Sequence, residues 1–158
     1  MSFSRQLPPF QLDSGLRAQL SRVGRTVYRS KGTLLFRRGD LPKGVFILVS
    51  GKVTLSTGGA ATSHNLCLPG CLLGLPATVG NRSYSLTAKC ADDCECIRVS
   101  HEEFTALLSA DPAFCLRIVE ILADEVGEMC SRLPMEARKA RAGWLRCARY
   151  LRTENAIK

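Results

Sequence analysis

Seven β-prone runs of five to seven residues follow one another between residues 26 and 99: TVYRS, TLLFRR, GVFILVS, KVTLST, HNLCL, YSLTAKC and CECIRV. Turn residues punctuate them at Lys31-Gly32, Gly39-Asp40, Ser50-Gly51, Gly58-Gly59, Pro69-Gly70 and Asp92-Asp93. Glycine suits such corners because it accepts positive φ without a Cβ clash. Short strands at even spacing with glycine corners predict an antiparallel barrel or jelly roll.

The flanks have a different period. Leu12, Leu16, Leu20 and Val23 recur at helical spacing behind Asp13 and Ser14, so a short amphipathic helix opens the domain. After Val99, Ser100 can cap a helix whose N3 residue is Glu103, which is the capping-box pattern. Asp111 then caps a further helix with Pro112 at its first position, where a missing N–H costs nothing. That helix is predicted to run to about Leu133, before Pro134. Phe114, Ile118 and Ile121 form one apolar stripe suited to docking on the barrel. Val119, Leu122, Val126, Met129 and Leu133 step by three, four, three and four residues along another. This is an a/d seam with branched Val at a and Leu or Met at d, which predicts a parallel homodimer. The predicted class is therefore α+β: an antiparallel β-roll (double-stranded β-helix or jelly roll) with a short N-terminal helix and C-terminal helices, the long one a dimerisation helix. The sensor-like part is expected over residues 1–133 and a basic hinge and helix over 134–158.

A chain of 158 residues is most simply one domain with a real core. No apolar run approaches the roughly 18 residues of a membrane span. MSFSRQLPPFQLD lacks the apolar core and cleavage site of a signal peptide, so a cytoplasmic location is expected. The eight cysteines lie within predicted strands and helices rather than spaced through loops, so they read as small buried side chains in a reducing compartment. Cys90-x3-Cys94-x-Cys96 is not a CxxC pair, and His64 and His101 add no ligand spacing, so no metal site is expected. The strands carry no His/Glu cluster of the kind a cupin-like enzyme needs, so no catalytic residue is assigned.

The net charge of +8 is concentrated at the C-terminal end, where residues 132–158 hold eight Lys/Arg against Glu136 and Glu154. Such an end suits an acidic partner. Arg138, Arg141, Arg146 and Arg149 are the expected nucleic-acid contacts, through phosphates and without sequence preference.

KGTLLFRRGDLPKGVFILVSGKVTL, with Gly32, Gly39 and Gly51 at its corners, resembles the opening of a CRP/FNR-type cyclic-nucleotide-binding domain. LPGCLLGL resembles the approach to that family's phosphate-binding cassette, and CECIRVSHEEF its last strand and following helix. The resemblance implies a ligand-carrying β-roll, a long dimer helix and then a DNA-binding helix-turn-helix. PMEARKARAGWLRCARYLRT resembles the hinge and first helix of that last part, but no recognition helix follows it within these residues. The expectation is a stand-alone sensor or a shortened regulator. Oxygen-sensing members hold an Fe–S cluster with N-terminal cysteines, and no cysteine precedes Cys67 here. Haem-binding relatives use a His or Cys on the roll, a place that His64 or Cys67 would have to fill.

The cassette stretch, GLPATVGNRSYSLTA over residues 74–88, departs from that resemblance in an instructive way. In nucleotide-binding members a Gly-Glu supplies the ribose acceptor, and an Arg-Ser or Arg-Thr pair holds the cyclic phosphate. Arg82 and Ser83 match the pair. A guanidinium fork and a hydroxyl suit phosphate oxygens. Leu75 stands in place of the Glu, Pro76 removes a backbone donor, and Tyr84 replaces a small residue. Burying a ribose hydroxyl against Leu75 would leave it unpaired at about 1–3 kcal/mol. The candidate ligand site is thus Gly74, Leu75, Pro76, Ala77, Arg82, Ser83 and Tyr84, for a small anion. The resemblance implies cAMP or cGMP as cofactor, and these substitutions argue against tight binding of either. The expected function is a non-enzymatic, ligand-sensing regulatory domain; the alternative is a structural interaction module with no small-molecule ligand.

Overall fold

The computed structural model describes residues 12–57 and 64–132, without the side chains of 64, 65 and 125–132. Twelve elements follow in order: α1 (Ser14–Val23), β1 (Arg25–Arg29), β2 (Leu34–Phe36), β3 (Val45–Ser50), β4 (Val53–Ser56), β5 (His64–Cys67), β6 (Leu72–Leu73), α2 (Leu75–Gly80), β7 (Thr87–Cys90), β8 (Cys94–Val99), α3 (His101–Ala110) and α4 (Pro112–Arg132). The strands form two four-stranded antiparallel sheets, ordered β1-β8-β3-β6 and β2-β7-β4-β5. This is the antiparallel β-roll with a short N-terminal helix and C-terminal helices that the glycine-spaced runs predict. The chain changes sheet at nearly every corner, so one core forms between the two inner faces. Phe36, Phe46, Leu48, Val53, Leu73 and Tyr84 fill it with five cysteines, Cys67, Cys71, Cys90, Cys94 and Cys96. Each of those thiols is buried, as small core side chains should be.

Local sequence signals set the helix starts. The Asp13 carboxylate accepts the Leu16 N–H at 2.9 Å to cap α1. Ser100 and Glu103 make the reciprocal capping box of α3. The Asp111 carboxylate accepts the N–H groups of Ala113 at 3.0 Å and Phe114 at 3.1 Å to open α4. Each cap satisfies donors that a helix start leaves orphaned. The first turns of α4 are tied back to α1: Arg117 pairs with Asp13, and Gln19 donates to Asp111 at 3.0 Å. Phe104 of α3 meets Phe114 edge-on, with centroids 5.9 Å apart.

Two compact units divide the chain, Met1–Arg117 and Ile118–Lys158. The expected boundary at 133/134 lies outside the described residues, as do Leu133, Arg138, Arg141, Arg146 and Arg149. Three local details differ from expectation. A two-residue strand, β6, precedes the cassette, and residues 75–80 form α2. The run YSLTAKC is strand only from Thr87 onward. The reason is that the Tyr84 backbone is committed elsewhere: its N–H donates to Asp40 O at 3.0 Å and its carbonyl accepts from Gly39 at 2.9 Å.

Candidate ligand-binding site

The cassette begins where β6 ends. Gly74 adopts φ +81° and caps α2, with Pro76 in the first turn of that helix. A Cβ at Gly74 would come within 3.0 Å of Tyr84 Cε1 and 3.2 Å of the Gly44 carbonyl oxygen, so only glycine fits comfortably. Gly44 is tighter still: at φ +118° its Cβ would run into the Val99 carbonyl. These two glycines let the β2–β3 loop, the α2 cap and Tyr84 close on one another. Thr78, buried in α2, donates its hydroxyl to Gly74 O at 2.8 Å. Asn81 then takes a left-handed conformation, φ 47°, and ends the helix; Arg82 N–H donates to Ala77 O at 3.0 Å.

The expected site residues divide into two sets. Arg82 and Ser83 are exposed just after the α2 cap, and Pro76 is exposed too. Leu75 and Ala77 point into the protein, Leu75 fully (0% exposed). Tyr84 is 2% exposed and stacks on Phe36, with ring centroids 4.1 Å apart and planes 15° from parallel. Its hydroxyl donates to Gly44 O at 2.9 Å and accepts the Lys43 N–H at 2.8 Å. Burial pushes the phenol's pKa up despite those two bonds, so it stays neutral. Tyr84 therefore ties the cassette to the β2–β3 loop, and its ring occupies the core side of the site. Sequence reasoning named Tyr84 but missed Phe36. The pairing is 48 residues apart in the chain, and no local signal announces it.

A separate surface trough of about 360 Å³, lined by Tyr28, Arg29, Ser30, Ser50, Asp93, Cys94 and Glu95, lies at the far end of β3 from Gly44. It mixes one arginine with two carboxylates, and Arg82 does not line it. Among the described residues, no group of three His, Cys, Asp or Glu could hold a metal ion.

A cyclic nucleotide-binding domain model matches residues 26–111, more than half of the chain. The chain belongs to the cyclic nucleotide-binding domain family. Solved structures agree with this assignment. A protein of a cyclic-GMP-dependent signalling pathway that regulates bacterial phytopathogenesis is 25% identical, with TM-score 0.67 over 75% of this chain and 96% of that one. The catabolite activator protein of Thermus thermophilus is 22% identical, with TM-score 0.65 over 75% of this chain and 57% of that one. The sensor domain of the transcriptional regulator DNR from Pseudomonas aeruginosa is 16% identical, with TM-score 0.61 over 78% of this chain and 85% of that one. The last two establish fold alone. No curated protein matches the chain at a significant level. The resemblance read from the glycine corners thus holds for the cyclic nucleotide-binding domain and for its roll. Among the described residues, no helix is long and apolar enough to cross a membrane.

Proposed function

We propose that this cyclic nucleotide-binding domain is a non-enzymatic, ligand-sensing regulatory domain of CRP/FNR type, with a cassette altered away from tight cAMP or cGMP binding. The observation that carries this reading is the locked Tyr84, which stacks on Phe36 and bonds Lys43 and Gly44 on the core side of the cassette. The buried Leu75 supports it, since a leucine offers no acceptor to a ribose hydroxyl. Arg82 and Ser83 remain available for a small anion at the rim. The ligand state is relayed through a homodimer joined by Val119, Leu122, Val126, Met129 and Leu133, the first four of them on α4. Val119 is 52% exposed and Leu122 half-buried, which leaves apolar surface for a partner helix. Leu116, also on α4, is 59% exposed. The arginines of residues 132–158 carry the output to an acidic partner, and DNA is met only through its phosphates.

The stated alternative, an interaction module with no small-molecule ligand, draws on the same tyrosine: a side chain that satisfies its own site needs no ligand to complete it. Thermal shift with cAMP, cGMP and inorganic phosphate separates the two. A binder at 100 times its dissociation constant adds about 2.7 kcal/mol of stability. The sensor reading expects a shift with at least one anion that Arg82→Ala removes. The module reading expects none.

A further inference from the structure

The proposed sensor role leaves one concave surface of the roll unused, the trough at the far end of β3. Three neighbouring strands contribute to it, in the order β1-β8-β3. Glu95 on β8 pairs with Tyr28 on one side and Ser50 on the other, so these three residues form one row across the sheet. Directly opposed residues stand about 4.5–5.5 Å apart at Cβ, which brings the Glu95 carboxylate beside the Tyr28 ring and the Ser50 hydroxyl. The β3–β8 register shifts between Leu48 and Ser50, and that irregularity is what sets Ser50 against Glu95. Tyr28 is 71% exposed and takes no part in the core. Two corners meet beside this row. Lys31 N–H donates to Asp93 Oδ1 at 2.8 Å and ties the β1–β2 corner to the β7–β8 corner. Gly51, at φ +85°, lets the second corner approach β3: a Cβ there would run into the Asp93 carbonyl and lie 2.8 Å from Cys94 Sγ.

We propose that this trough is a second ligand site and that it takes a basic α-amino acid, of the class of lysine and arginine. Charge is the first argument. Arg29 contributes one cation to the lining, and Asp93 and Glu95 contribute two anions. Among the described residues the ion pairs are Lys52–Asp92 and Arg117–Asp13, so these three charges do not neutralise one another. A basic amino acid carries the complementary set, two cations and one carboxylate. Arg29 spends one of its five N–H donors, at Nη1, on the Tyr28 carbonyl at 3.0 Å. That bond anchors the guanidinium and leaves donors for the ligand carboxylate. Glu95 and Asp93 each accept one ligand cation, and the Tyr28 ring beside Glu95 adds cation–π attraction. Size is the second argument. The trough holds about 360 Å³, within the range of about 300–1,000 Å³ usual for small-molecule sites.

The site stands apart from the cassette. Arg82 does not line it, and β3 runs between the two: Gly44, beside Tyr84, precedes its first residue, and Ser50 is its last. Discrimination follows from the charge count. Cadaverine keeps both cations of lysine but has no carboxylate for Arg29. Norleucine keeps the amino-acid end but has no second cation for the carboxylates. Each loses one charge-assisted contact and should bind about tenfold more weakly than lysine.

The experiment is calorimetric titration of the full chain at low salt with L-lysine, L-arginine, cadaverine and norleucine, joined to an amide NMR titration with lysine that places the site. Lysine and arginine should bind, cadaverine and norleucine should bind more weakly, and lysine should move the amide signals of Tyr28, Arg29, Ser50 and Glu95. Arg29→Gln should bind lysine no better than cadaverine, and Glu95→Gln should bind lysine about tenfold more weakly than the wild type does. The wild-type ligand series and the NMR titration involve no substitution, so they decide the matter even where a variant fails to fold. No heat with lysine or arginine at tens of millimolar would overturn the proposal. So would cadaverine or norleucine binding as tightly as lysine, shifts confined to the cassette around Arg82, or a folded Arg29→Gln that still prefers lysine to cadaverine.

Discussion

Tyr84 is where the chemistry of the site and the stability of the fold meet. Its hydroxyl satisfies the Lys43 N–H and the Gly44 carbonyl, and its ring stacks on Phe36. Tyr84→Phe keeps the ring and strands both backbone groups, so it should cost about 1–3 kcal/mol. Tyr84→Ala also opens a cavity and should cost about 3–5 kcal/mol, in the range of other aromatic truncations. Urea denaturation measures both, and an unchanged midpoint for Tyr84→Phe would contradict the two-bond account. The buried thiols give a second prediction at this scale. Burial raises Cys96 to about 11 and Cys90 to about 12 from an ordinary 9.0. An acid whose folded pKa is raised holds its proton after the unfolded chain has released it. The stability it carries is full below pH 9 and is lost as pH rises from there toward 11 and 12. Cys71 is shifted down beside Cys67 and acts in the opposite sense, while Cys67 is itself pushed up and adds to the loss at high pH alongside Cys90 and Cys96. The urea midpoint under reducing conditions should therefore fall between pH 9 and 11, and less so in the Cys90→Ala, Cys96→Ala double variant. An equal fall in the variant would assign the effect to other groups.

At the scale of elements, sequence legibility followed the reach of the interactions. The caps at Asp13, Ser100 and Asp111 were legible because each bond spans two or three residues. The strand-and-corner rhythm was legible because each corner is a glycine-bearing or acidic pair. What stayed hidden rests on distant partners. β6 is two residues long and exists only because Leu72 and Leu73 pair with Ile47 and Phe46. The run from Tyr84 reads as strand by alternation, yet the β2–β3 loop takes its first backbone groups. In the cassette, the identities of Leu75, Arg82 and Tyr84 were plain from sequence, but their separation into core-facing and rim-facing sets needed the fold. The α4 seam supplies the prediction at this scale. Burying each apolar side chain of the seam is worth about 1.5–3 kcal/mol, so the wild-type chain should be a dimer by light scattering at micromolar concentrations. Val126→Glu should make it monomeric with its circular dichroism unchanged. A wild-type monomer, or a dimeric variant, would remove the seam from the account.

At the scale of the whole molecule, the domain joins a cyclic nucleotide-binding roll to a strongly basic end. If that end meets DNA through phosphates alone, log affinity should fall with log salt at a slope of about −0.9 per phosphate neutralised. Two unrelated duplexes should bind alike, and alanine at Arg138, Arg141, Arg146 or Arg149 should reduce the slope by about one contact each. A strong sequence preference in filter binding would require a reader outside this account. The cassette keeps Arg82 at its rim together with the buried Leu75 and the locked Tyr84. Isothermal calorimetry with cAMP and cGMP on the wild type and Arg82→Ala measures whether this cassette takes a cyclic nucleotide. The account predicts no low-micromolar binding of either nucleotide, and little difference between the two proteins; a low-micromolar affinity that Arg82→Ala abolishes would contradict it.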